Sequence, residues 1–174
     1  VIDGKKLSAG DSFPLPKSET VFSSENKVSS LRILYSSGLP VLWLETGSGE
    51  LEKIDASKEY VASISVSLLN PSDPGEFING ESATLHARGN VSFNEAPKKS
   101  YLLEMGQETD LLGMGAAKKW VLISNYFDQT SLRNYLTLQL ASGLGLAYTP
   151  DSRFVDMYVN GDYRGMYLIT EKWK

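Results

Sequence analysis

Short apolar runs punctuated by turn residues dominate the hydropathy pattern. Leu39-Pro-Val-Leu-Trp-Leu44 is an apolar run halted by Thr46-Gly-Ser-Gly49, the pattern of a buried strand and a turn. In residues 59–69, Val61, Ile64 and Val66 stand among serines, as in a half-buried strand, and Asn70-Pro-Ser-Asp-Pro-Gly75 stops it. Further strands are predicted at 81–86, 100–105 and 119–124. Near the end, apolar stretches at 154–159 and 163–169 flank Asn160-Gly161. Both turn residues tolerate the positive φ of a type I′ turn, so these stretches predict a hairpin.

One segment has helical periodicity. In residues 131–142, Leu132, Leu136 and Leu140 recur every fourth position, with Tyr135 on the same face. Asp128 or Thr130 can supply the N-cap oxygen, and Gly143 can enter the left-handed region that ends a helix. The predicted fold class is α+β: a mostly antiparallel β-sheet with one principal α-helix whose leucine stripe is buried against it. Residues 1–37, rich in Ser and Lys with Pro14 and Pro16, read as a lead-in with edge strands, and residues 38–174 as the domain.

Composition narrows the chemistry. With 174 residues and 41% hydrophobic positions, a single core is expected, and no apolar window reaches the length of a transmembrane helix. The formal charge of -4 argues against a nucleic-acid partner held by a basic surface. There is no Cys, which excludes thiolate metal sites, disulfides and Cys nucleophiles, and the lone His86 excludes a multi-His metal site. Val1 in place of an initiator Met, and the apolar segment 167–174 without a closing turn, read as an excerpt of a longer protein.

Two polar sets could carry function. The first comprises Arg88, Gly89 and Asn90 with Lys98 and Lys99, on two successive strands joined by a loop. A guanidinium fork, a permissive glycine and paired ammoniums suit a polyphosphate; a solvated hairpin with surface lysines is the plainer reading. Because side chains alternate along a regular strand, only one of the two lysines is expected to line the pocket, and Tyr101, on the face of Lys99, is expected to turn to the core. The second set is Asn125, Asp128, Arg133 and Asn134 at a strand-to-helix junction, where Asp128 can equally be a cap and Arg133 its ion-pair partner. His86 reads as structural.

The order of motifs resembles the spore-coat protein H (CotH) kinase family. The resemblance rests on Arg88-Gly-Asn90, Pro97-Lys-Lys-Ser-Tyr101, Leu111-Leu-Gly-Met114, Lys118-Lys-Trp-Val-Leu122, Asn125-Tyr-Phe-Asp128 and Leu132-Arg-Asn134. Leu144-Gly-Leu146, Tyr148-Thr-Pro150, Val159-Asn-Gly-Asp-Tyr163 and Tyr167-Leu-Ile-Thr-Glu171 continue it, and Gly38-Leu-Pro-Val41 and Lys58-Glu-Tyr-Val61 extend it upstream.

The resemblance implies the N-terminal lobe of an atypical protein kinase that transfers phosphate from ATP to protein serine, using a divalent metal (Mg). It places Arg88, Gly89, Asn90, Lys98 and Lys99 near the ATP phosphates and the catalytic base and metal-binding acids beyond Lys174, so this chain alone is expected to be inactive. The implied partners are a Ser-rich protein substrate and a downstream C-terminal lobe, which Arg133 and Asn134 would help to orient; the implied setting is a spore coat or cell surface. Two departures bear on this. The family's usual Gly-Arg-Gly-Asn-Ser-Thr is Ala87-Arg-Gly-Asn-Val-Ser92 here, and Glu104 stands where members commonly carry a basic residue. The alternative is a noncatalytic surface or coat module on the same fold.

Overall fold

The structure is a computed structural model that describes residues 20–24, 27–31, 37–73 and 75–172. The chain divides into two units, Val1–Ser37 and Gly38–Lys174. In the first, β1 (Thr20–Ser24) pairs antiparallel with β2 (Lys27–Leu31), Thr20 opposite Leu31.

The second unit is built from seven strands: β3 (Val41–Thr46), β4 (Ala62–Leu69), β5 (Phe77–Arg88), β6 (Ser100–Asp110), β7 (Ala116–Ile123), β8 (Ser152–Val159) and β9 (Asp162–Glu171). They close into a barrel in the order β3-β4-β5-β6-β7-β9-β8. Every pairing is antiparallel except the closing one, where β8 runs parallel to β3 with Leu42 beside Met157. Strand alternation fills the interior: Leu42 and Leu44, Ile64 and Val66, Leu85, Tyr101 and Leu103, Trp120 and Leu122, Met157, Tyr167 and Ile169 form one buried cluster. Each such side chain contributes about 1.5–3 kcal/mol relative to exposure.

The closed barrel overturns the expected α+β sheet with one principal helix, and with it the kinase-lobe architecture of a sheet carrying a helix. The seven inner faces satisfy one another, so the main core needs no covering helix; the apolar residues buried on the outer face, Leu102, Val121 and Leu168, stand apart from that cluster. The predicted helix exists as α3 (Arg133–Gly143), but its stripe is not buried: Leu132, Leu136 and Leu140 are exposed, Leu136 by 57%. Tyr135 alone of the stripe makes a ring contact with the barrel, lying 5.2 Å from Phe154 of β8.

The strand directions place the ends of β3, β5, β7 and β8 and the starts of β4, β6 and β9 at one rim. Two short helices lie at that rim. α1 (Glu50–Ala56) joins β3 to β4 and buries Ile54 in the core, and α2 (Val91–Glu95) joins β5 to β6. The expected hairpin is present, with Asn160 at φ 52° and Gly161 at φ 93° between Val159 and Asp162, the two positive values a type I′ turn requires.

Candidate functional site

The rim gathers the candidate cations. Lys98 and Lys99 precede β6 in an irregular bend, so strand alternation does not separate them. The Lys98 ammonium donates to the carbonyl of Met166 at 2.6 Å and lies 4.3 Å from the centroid of the Tyr167 ring. The Lys99 ammonium donates to the carbonyl of Phe93 at 2.5 Å and stands 5.1 Å from the Phe93 ring. Burial pushes the pKa of Lys98 below the ordinary lysine value.

Beneath them the barrel is plugged by two tyrosines. Tyr101 and Tyr167 lie 6.1 Å apart, both buried, and burial raises both phenols above their ordinary pKa. Tyr101 turns to the core as expected. The Tyr167 hydroxyl donates to the backbone carbonyl of Lys99 at 3.0 Å, and the Tyr101 hydroxyl to Asp55 Oδ1 of α1 at 2.8 Å. Arg164 of β9 pairs with the other oxygen of Asp55 at 3.7 Å. Neither Asp55 nor Arg164 is evident as a site residue from the sequence. The only sequence sign of α1 is Leu51 and Ile54 three residues apart behind Gly49, a pattern too short to distinguish from a loop.

Arg88 sits on the opposite side of its strand from the buried Ala87. It shares that side with His86, whose pKa burial pushes down with help from Lys172, Lys119 and Arg88. The structure therefore brings Lys98 and Lys99 to the mouth of the barrel and leaves Arg88 on its outer wall. Gly89, at φ 108°, is explained locally: a Cβ there would collide with Ser92 Oγ. The carbonyl of Asn90 accepts from the N–H groups of Phe93 and Asn94, starting α2. Ala87 fills the interior, so the departure from glycine at that position is a packing feature of the wall. Glu104 points outward and pairs with Lys119 across the sheet at 3.2 Å, away from both lysines.

A comparison with protein-family models matches residues 85–174 to CotH kinase protein. The chain belongs to this CotH family. A comparison with curated proteins gives no match. The CotH match spans Lys98, Lys99 and Arg164 but stops short of α1 and Asp55.

The second predicted set does assemble in this CotH chain. Asp128 accepts from the N–H of Thr130 (3.1 Å), the hydroxyl of Thr130 (2.8 Å) and the N–H of Arg133 (2.8 Å), and pairs with the Arg133 side chain at 3.6 Å. The Thr130 hydroxyl accepts from the N–H of Leu132, so both proposed cap oxygens serve the start of α3. The Arg133 N–H, foremost, holds the Asp128 carboxyl below the usual carboxylate range. Asn134 donates to Asn125 Oδ1 at 2.7 Å, while Asn125 donates to the carbonyl of Ser131. These partners are internal to the loop, the arrangement of a helix start fixed by its own side chains. Ser124 and Ser100, bonded to each other in the buried wall, tie this loop to the strand that follows the lysines.

Among the described residues no group of three His, Asp or Glu side chains is placed to hold a metal ion. None of the helices among them is long and apolar enough to cross a membrane.

Proposed function

We propose that residues 38–174 are the nucleotide-facing N-terminal part of a CotH kinase-like domain that transfers phosphate from ATP to protein serine in a spore-coat or cell-surface setting. The observation that carries this reading is the placement of Lys98 and Lys99 together at one rim, in a chain of the CotH family. Two ammoniums above low-dielectric aromatic walls suit a polyanion, because charge-assisted contacts strengthen away from bulk water. Gly89 and Asn90 lie at the neighbouring strand end, and Arg88, which leaves the outer wall there, would reach the phosphates only around the rim. ATP would be bound and oriented here, and the residues described do not fit a metal site. The catalytic base and the metal ligands belong, in this reading, to a downstream lobe.

That lobe has a suitable landing surface. From Asn134 to Pro150 the chain carries no charged residue, and Leu136, Leu140, Leu144 and Leu146 are exposed along it. A surface without charges fits a permanent neighbour within one protein, with Arg133 and Asn134 orienting it from the helix start.

The noncatalytic alternative is favoured by one observation: both ammoniums already have partners in backbone carbonyls and aromatic rings. Calorimetric titration of ATP into the full-length protein separates the readings. Lys98→Ala, Lys99→Ala and Arg88→Ala are each expected to weaken binding about tenfold, the loss of one charge-assisted contact. Unchanged affinity in all three variants overturns the nucleotide reading in favour of a surface module.

A further inference from the structure

Three cations and one carboxylate meet at the mouth of the barrel, and only two of the cations belong to the lysine pair. Arg164 follows the hairpin turn on β9 and precedes Gly165, where an added Cβ would lie 3.2 Å from the Lys98 ammonium. Arg164 is thus the chain neighbour of the residue that lies beside Lys98, although 66 positions separate the two in sequence. Its guanidinium is not left to solvent: it is tethered to Asp55, whose other oxygen is held by the Tyr101 hydroxyl. Asp55 is in turn anchored by α1, whose Ile54 is fully buried in the barrel core. The Tyr101 hydrogen bond and the buried helix hold the carboxylate, and the carboxylate draws the arginine toward it.

We infer that Arg164 is a third phosphate-binding cation of the rim and that Asp55 is a positioning residue, holding Arg164 ready for the anion without touching it. This deepens the nucleotide-binding reading and rests on it. The charge balance supports it: Lys98, Lys99 and Arg164 outnumber Asp55 and Glu52 around a buried aromatic floor, a setting suited to a polyphosphate. A guanidinium also presents a planar pair of donors to two phosphate oxygens, which a lysine cannot do.

The groups that face Asp55 are Tyr101 of β6, Tyr167 and Arg164 of β9, Lys99 ahead of β6, and Glu52 of its own helix. Burial pushes its carboxyl above the ordinary range, opposed first by the Tyr101 hydrogen bond and then by Arg164 and Lys99. Acidification therefore neutralises Asp55 earlier than an ordinary surface carboxylate, and Arg164 loses its tether.

The test is calorimetric titration of inorganic tripolyphosphate and of ATP, both without metal, into the full-length protein. Arg164→Ala is expected to weaken both ligands about tenfold, with Arg164→Lys recovering part of the loss. Asp55→Asn keeps the shape and an acceptor for Tyr101, and is expected to weaken both ligands severalfold at neutral pH with the thermal midpoint retained. The gap between wild type and Asp55→Asn should close as the pH is lowered into the carboxylate range, a behaviour that a purely structural role for Asp55 does not produce. Tighter binding in Asp55→Asn would mean that Asp55 only repels the anion, and would overturn its positioning role. If Lys98→Ala and Lys99→Ala weaken binding while Arg164→Ala and Asp55→Asn do not, the nucleotide reading survives and this inference falls. If wild type binds neither ligand, both fall.

Discussion

The barrel interior and the outer face of α3 are both lined with leucines at regular spacing, and they meet opposite fates. Leu42, Leu44, Leu85, Leu103 and Leu122 are fully buried, whereas Leu136 and Leu140 are 57% and 64% exposed. Periodicity specifies that an apolar face exists and which residues share it. What covers that face depends on whether a complementary surface is within reach. In the barrel every strand meets two neighbours and looks across at the others, so seven half-apolar ribbons complete one core. α3 runs outside a wall whose inner face is already satisfied, and it touches that wall through Tyr135 and Phe154.

The same substitution on both sides tests this contrast. Leu103→Ala should cost about 2–5 kcal/mol in chemical denaturation, the range for emptying a close-packed site. A loss below about 1 kcal/mol would mean that the interior relaxes around the cavity and is packed more loosely than its burial implies.

The hairpin that joins the last two strands is the next most sensitive point. Gly161→Val should cost about 1–3 kcal/mol, because a β-branched residue is strained at the φ of 93° observed there. An unchanged denaturation midpoint would show that the turn can adopt another form without opening the β8-β9 pair.

Asp128→Ala acts on the exposed helix rather than the barrel, and its effect depends on pH. A carboxyl held below its unfolded pKa stabilises the fold above the unfolded value and loses that contribution as pH falls through the folded value. The variant should therefore be less stable than wild type at neutral pH, and the difference should vanish on acidification below the ordinary aspartate range. A difference that persists at low pH would assign the effect to packing instead of charge.

Leu136→Ala should be the mildest, within about 0.5 kcal/mol, because a side chain already in water loses little on truncation. A cost comparable to that of Leu103→Ala would show the leucine face to be covered. In a protein that includes a downstream lobe the cost is expected to rise, which would sharpen the contrast into a statement about what α3 is for.

Local features were legible because local physics sets them. Each of the seven barrel strands overlaps a segment that the pattern marks as a strand, although β5 and β6 run on into polar residues; the Asn160-Gly161 turn is demanded by its two residues, and Asp128 and Thr130 accept from the N–H groups of Arg133 and Leu132 at the start of the helix. The CotH family membership was legible too, from the order of short motifs. At the site, the sequence singled out Lys98 and Lys99 but could not show that they share a rim, since the irregular bend before β6 suspends the alternation that would have parted them. Barrel closure lay beyond reach because its deciding contact, β3 beside β8, joins segments more than 100 residues apart, and no turn signal reports a parallel pair. The exposure of α3 and the tether between Asp55 and Arg164 follow from that closure: a helix finds its inner wall already filled, and residues from α1 and β9 become neighbours only once the sheet has curled around to bring their ends to one rim.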